Sequence, residues 1–313
     1  MKFKVLVSAP YLLPVLDQYR QILEENNCDV LVASGNERLE ESDLLPLVGD
    51  VDGVICGDDK FTPRVIEAAP RLKVLSKWGT GIDSLDQQAC ARRGILIKNV
   101  PNAFSEPVAD TVIGWILCFA RRLPDQTATM RDGKWVKFSG HALNEKTLGV
   151  VGIGDTGKAV VRRANAFGMK VRGHDIRQVD RQFVTTNKLE LTDLEGLLRE
   201  SDYISLNCTL TPDTKWMINE ASLSLMKNGA IILNAARGPL IRESDLISAL
   251  ESDKLGGAAL DVFEEEPLSA SSKLRQLPNV LLSAHNANSS PLAWSKVHEQ
   301  AVLNLLDGLR EAK

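Results

Sequence analysis

The sequence predicts two doubly wound α/β domains, and three observations carry that prediction. Short β-branched runs alternate with helix-like segments through nearly the whole chain. The alternation occurs in two sets. Each run is continuously apolar rather than alternating, which marks strands buried on both faces of a parallel sheet. The first set is 3–7, 29–33, 53–57, 73–77 and 95–99. The second restarts at 147 with TLGVVGIG and continues with KVRGHD, YISLN, AIILN, AALDV and NVLLS. Between the sets, 102–123 reads as a long interdomain helix, with Asn102 or Ser105 as its cap, Pro107 near its start and a face for a partner subunit. The segment 291–311 reads as an amphipathic helix returning to the first domain. The expected domains are therefore 1–101 with 290–313, and 102–289.

Composition narrows the function. The 313 residues are 44% hydrophobic with a formal net charge of −4, enough for buried cores and without a basic stripe for nucleic acid. No apolar run approaches the ~18 residues of a membrane span. Five cysteines without CxxC spacing read as free thiols of a reducing, cytoplasmic compartment. The histidines show no metal-ligand spacing, so no metal is expected.

The strongest local motif is VVGIGDTGKAVV. Gly152, Gly154 and Gly157, with Asp155 and Thr156 between them, follow an apolar strand and open a helix. Gly152 suits a tight turn, Gly154 a close backbone approach to a pyrophosphate, and Gly157 close helix–strand packing. The next strand ends at Asp175, followed by Ile176. A carboxylate there accepts from ribose hydroxyls and repels a 2′-phosphate, favouring NAD over NADP. Arg177 is the counter-argument, since it could pair with that phosphate.

Three later loops follow consecutive strands. They carry Arg237, the glutamates 264–266 and His285. Ligands of open α/β sheets bind outside the carboxyl ends of strands, so these loops are expected to converge on the nicotinamide end of the cofactor. Position alone does not say which glutamate takes part.

These motifs, with KWGTGID (77–83), LNCTLTPDTKWMIN (206–219), LNAARGPLI and AALDVFEEEPL, resemble the D-isomer-specific 2-hydroxyacid dehydrogenases, in particular the D-3-phosphoglycerate dehydrogenase-like branch. The resemblance implies a flavodoxin-like substrate domain and a Rossmann NAD-binding domain, likewise a homodimer acting on a small acid. It implies an Arg–Glu–His set at Arg237, Glu266 and His285, with Glu266 chosen because it directly precedes the proline. It further implies cofactor contacts at Thr111, Cys208, Thr209 and Asp261, and a substrate loop of Lys77, Trp78, Gly79, Thr80 and Gly81. The chain ends before the C-terminal regulatory domain that phosphoglycerate dehydrogenases often carry, so none is expected. Three departures stand out. Cys56 and Gly57 occupy the place of an expected phosphate-binding arginine, with Asp58 and Asp59 beside them. Lys77 and Trp78 precede Gly79. Asn286, Ala287 and Asn288 follow the histidine. The expectation is hydride transfer on a phosphoglycerate-like or other anionic acid. Simple acids such as glycolate, glycerate or lactate come second, and phosphite oxidation third. An NAD(H)-sensing corepressor-like protein is the rival from another class.

Overall fold

The computed structural model describes residues 2–33 and 38–312; Met1 and Lys313, to which the expected domain bounds reach, lie outside that description. The chain forms two compact units, Met1–Phe104 with Ser290–Lys313, and Ser105–Ser289.

The first unit contains β1 (Phe3–Val7), β2 (Cys28–Val32), β3 (Gly53–Cys56), β4 (Val74–Lys77) and β5 (Leu96–Lys98). They form one parallel sheet in the order β2-β1-β3-β4-β5. β3 and β4 are buried along their full length, as continuously apolar strands between helical layers must be. Polar caps set the helix starts: Thr62 accepts from Val65 N and Asp86 from Ala89 N, while Gly94, at φ 68°, ends the helix Gln87–Arg93.

The helix Pro291–Glu311 completes this unit. Ser290 caps it, and its apolar face packs on β3, β4 and β5. The approach is close: a Cβ at Gly308 would lie 2.4 Å from the Val74 side chain, and one at Gly53 2.7 Å from Leu305. Ser76 Oγ donates to Ala301 O at 2.7 Å, tying β4 to the helix. Beyond β4, Trp78 packs among Tyr11, Phe104, Trp294 and His298. Its Nε1 donates to His298 Nδ1 at 2.8 Å.

The second unit contains β6 (Thr147–Val151), β7 (Lys170–His174), β8 (Glu190–Leu191), β9 (Tyr203–Leu206), β10 (Ala230–Asn234), β11 (Leu255–Leu260) and β12 (Val280–Leu282). All pair in parallel, in the order β12-β11-β10-β9-β6-β7-β8. Strand order reverses between β6 and β9, which opens a crevice at their carboxyl ends. β8 was not among the expected strands; two exposed residues carry no apolar run to reveal it. The long helix expected over 102–123 is Ser105–Arg121. It lies within this unit, against the helix Asp155–Ala166, and Arg122 at φ 54° breaks it from a second helix, Leu123–Arg131. Among the described residues no helix is long and apolar enough to cross a membrane.

The Trp78–His298 bond requires a neutral acceptor at Nδ1, and burial holds the His298 pKa below its ordinary 6.5. The folded state thus binds fewer protons there than the unfolded chain. Its contribution to stability is full above about pH 6.5 and falls as acid is added, until the lowered folded pKa is passed. His298→Gln keeps an acceptor and cannot titrate. Urea midpoints measured from pH 8 to pH 5 are expected to fall less steeply in that variant than in the wild type.

Candidate active site

The glycine turn in the second unit is built for close backbone approach. Gly152 sits at φ 89°, and a Cβ there would lie 2.7 Å from Cys208 N. A Cβ at Gly157 would lie 1.9 Å from Gly152 O, so the helix starts directly against the turn. At Gly154 only Arg177 Nη2 comes within 4 Å, leaving the outer side open. The helix Asp155–Ala166 has no side-chain cap on its first amides. Asp155 is exposed in its first turn, and Thr156 Oγ1 lies 3.3 Å from Ser105 Oγ.

Asp175, at the end of β7, accepts from Ile153 N at 2.7 Å and Arg177 N at 2.8 Å. Burial pushes its pKa up, but these two amides and the Arg177 charge outweigh burial and leave it below the ordinary carboxylate value. Two amides do not exhaust a carboxylate, which has about four acceptor directions. A cavity of about 370 Å³ opens beside it, lined by residues that include Gly173, Arg177, Val179 and Thr192. Ile176 is 91% exposed next to it. An uncapped helix start, a turn that admits no Cβ and an ionised strand-end carboxylate are together the donor and acceptor set that a dinucleotide needs.

The other strand-end groups are held by backbone amides. Asp261, just beyond β11, is 1% exposed. Its Oδ1 accepts from Asn286 N at 2.8 Å and its Oδ2 from Ala287 N at 2.9 Å, while its carbonyl accepts from His285 N at 2.8 Å. These bonds hold His285 at φ 49°, a left-handed conformation uncommon for residues other than glycine. His285 Nδ1 lies 2.9 Å from Glu266 Oε2. Glu266 Oε1 accepts from Phe263 N at 2.9 Å, so both carboxylate oxygens are engaged. Both side chains are partly exposed, at 29% for His285 and 24% for Glu266. A carboxylate beside Nδ1 favours a proton on that nitrogen, which leaves Nε2 as the other ring nitrogen.

Arg237 follows β10, and its Nη1 donates to Ala236 O at 2.8 Å. The buried Asn234 shapes this loop: its Oδ1 accepts from Ala236 N and its Nδ2 donates to Arg237 O. Sequence reasoning missed Asn234, although an asparagine before a tight loop is a recognised turn signal. Glu264 is exposed yet bonded: its carboxylate accepts from Trp216 Nε1 and from Glu243 N, and its own N–H donates to the Glu243 carboxylate. Burial first, and then the charges of Glu264, Glu266 and Glu265, push the Glu243 pKa up against the opposing Glu264 amide bond.

Several expected cofactor residues have internal roles. Thr111 Oγ1 donates to Pro107 O at 3.1 Å and lies 3.5 Å from Ala287 O. Cys208 lies against Met217 with its thiol raised to about 11 by burial, and Thr209 O accepts from Thr214 Oγ1. Among the described residues no group of His, Cys, Asp and Glu could hold a metal ion.

In the first unit, the loop after β4 is internally bonded. Lys77 is 4% exposed; its Nζ donates to Trp78 O at 3.0 Å and lies 3.1 Å from Asp58 Oδ1. Gly79 is at φ 115°, its carbonyl accepts from Val100 N, and Thr80 Oγ1 donates to Val100 O. Gly81 follows, partly exposed. Asp59 faces inward and accepts from Ser8 Oγ, Leu39 N and Gly57 N, while burial raises its pKa.

Residues 113–287 match the family model "D-isomer specific 2-hydroxyacid dehydrogenase, NAD binding domain". A D-3-phosphoglycerate dehydrogenase of Methanocaldococcus jannaschii is 40% identical over 92% of this chain, and the chain spans 54% of that relative's length. A glyoxylate reductase of Thermofilum pendens is 36% identical over 90% of this chain and 86% of its own. The crystal structure of D-lactate dehydrogenase from Aquifex aeolicus, complexed with NAD and lactic acid, superposes with a TM-score of 0.87 at 28% identity, covering 98% of this chain and 97% of that one. On its sequence and on its fold, the chain belongs to the D-isomer-specific 2-hydroxyacid dehydrogenase family.

Proposed function

We propose that the chain is an NAD-dependent oxidoreductase interconverting a small D-2-hydroxy acid and its 2-oxo acid. The observation that carries this reading is the His285–Glu266 pair at 2.9 Å, on strand ends beside the Arg237 loop and in the same unit as the glycine turn. When bound, NAD supplies the hydride acceptor or donor at nicotinamide carbon 4. Gly152, Gly154, Asp155, Thr156 and Gly157 hold its pyrophosphate, and Asp175 its adenosine ribose. Arg237 binds the carboxylate and keto oxygen, for which a planar guanidinium is suited. His285 Nε2 takes the hydroxyl proton in oxidation and returns it in reduction. Glu266 holds the ring and stabilises the imidazolium. The Lys77–Gly81 loop takes the substrate-carboxylate side.

The relatives' names include phosphoglycerate and glyoxylate enzymes. One observation favours simple acids over phosphorylated ones: the Lys77 charge is already balanced by Asp58 at 3.1 Å. A phosphate would need a cation that is not so paired. Homodimeric assembly and a cytoplasmic location belong to the same proposal. Assembly is supported by Leu123, Met130, Trp135 and Val136, all exposed in the second unit, and location by five free cysteines.

A panel of 2-oxo acids with NADH, read by absorbance, tests the reaction. His285→Ala is expected to lower kcat by about 10²- to 10⁴-fold. Glu266→Gln is expected to lower it strongly and Glu265→Gln not at all; equal effects of the two would remove Glu266 from the reaction. Tight NADH binding without turnover of any acid would hand the function to a sensor. NADPH in place of NADH is expected to raise KM through repulsion at Asp175, and a preference for NADPH would overturn that role. Light scattering is expected to give twice the mass of one chain, and a single-chain mass would refute the dimer.

A further inference from the structure

We propose that Trp216, acting with Glu264 and Glu243, is a positioning clamp that keeps the Arg237 loop and the Glu266 loop in register. The inference rests on the catalytic reading given above. Three loops leave the carboxyl ends of β9, β10 and β11. Trp216 lies on the first, Glu243 ends the second and Glu264 lies on the third.

Backbone bonds join the first loop to the second. Trp216 N donates to Pro239 O at 2.7 Å, Ile218 N to Leu240 O at 3.0 Å and Arg242 N to Ile218 O at 2.8 Å. The Glu264–Glu243 pair joins the third loop to the second: Glu264 N donates to Glu243 Oε1 at 2.5 Å, and Glu243 N to Glu264 Oε2 at 3.4 Å. The Trp216 indole closes the triangle by donating Nε1 to the Glu264 carboxylate. Its ring also receives the Lys215 ammonium at 4.4 Å and the Arg242 guanidinium at 4.9 Å. Trp216 adopts φ 54°, a conformation a bulky residue keeps only when its surroundings hold it.

The clamp sits where small displacements reach both candidate catalytic groups. Arg237 directly precedes Gly238, and a Cβ at Gly238 would lie 1.8 Å from Phe263 O. The two loops therefore touch backbone to backbone. Phe263 is also the residue whose amide holds Glu266 Oε1 at 2.9 Å. Slippage between the loops moves Phe263, and with it the carboxylate that orients His285. An exposed glutamate gains little from charge alone. Here Glu264 acts as an acceptor for two N–H groups, a role that glutamine keeps in part.

The test compares full-length Glu264→Ala, Trp216→Phe, their double variant and Glu264→Gln. Hydrogen exchange is read by mass spectrometry over 237–243 and 261–267, alongside steady-state kinetics with NADH and the best acid of the panel. Glu264→Ala and Trp216→Phe are each expected to raise exchange in both segments. Each should lower kcat about tenfold, as expected for sub-ångström misplacement, with KM for NADH unchanged. The double variant should be no worse than Glu264→Ala alone, because that variant already removes the acceptor of the indole. Glu264→Gln should stay near wild type. Exchange that rises only in 261–267, an unchanged kcat where exchange rises, or losses that add in the double variant would overturn the clamp. If the wild type turns over no acid, the catalytic reading fails by itself, and the exchange data still decide whether the loops are linked.

Discussion

The buried carboxylate of Asp261 is the interaction on which the candidate site depends. A buried carboxylate is tolerable only where donors surround it, and two backbone amides of the His285 loop supply them. The loop in return is bound at three successive residues, counting His285 N on the Asp261 carbonyl. That is enough to hold His285 in a left-handed conformation, which costs about 1–2 kcal/mol for an L-residue. The ring then meets Glu266, whose other oxygen is fixed by Phe263 N. The side chains of Asp261, Glu266 and His285 thus owe their geometry to one strand end. The same arrangement accounts for two departures noted in the sequence. Asn286 and Ala287 contribute through their amides, and a glycine is not required for that.

The first unit shows how adjacent like charges can serve opposite ends. Two adjacent carboxylates such as Asp58 and Asp59 would together repel a phosphate. In the fold they face different surroundings. Asp59 turns inward as an acceptor for a hydroxyl and two amides, and Asp58 balances the buried ammonium of Lys77. The segment after β3 thus turns one carboxylate inward and pairs the other with a cation. Trp78 likewise lies at 4% exposure inside an aromatic cluster, so its bulk supports the loop after β4 from beneath.

Much of the architecture was legible because parallel sheets leave a strong trace. Among the described residues, eleven of the twelve strands overlap the runs expected from sequence, while β8, short and exposed, carries no such signal. The glycine turn was legible because each glycine answers a steric need visible in spacing alone. Arg237, the glutamates 264–266 and His285 stood out as chemical groups on consecutive strand ends, and Glu266 was singled out by the family resemblance at the proline. The loop bonds of Asn234, Trp216 and Glu264 did not. Their partners lie 2, 48 and 21 residues away, and a lone tryptophan or a middle glutamate carries no periodicity. Long-range polar bonds between loops are set by tertiary contact, which a linear pattern does not encode.

The helix Pro291–Glu311 belongs to the unit whose strands lie in the first hundred residues. Leu305 and Gly308 can close against β3 and β4 only after residues 291–311 have been made. The second unit, Ser105–Ser289, is contiguous and has every segment of its own core in hand earlier. During synthesis all segments of the second unit are therefore present before the first unit is complete. The second unit can close while the first still lacks the helix that covers β3, β4 and β5. That interval exposes apolar strands to solvent and to neighbouring chains, and it makes the last helix the step that ends the vulnerability.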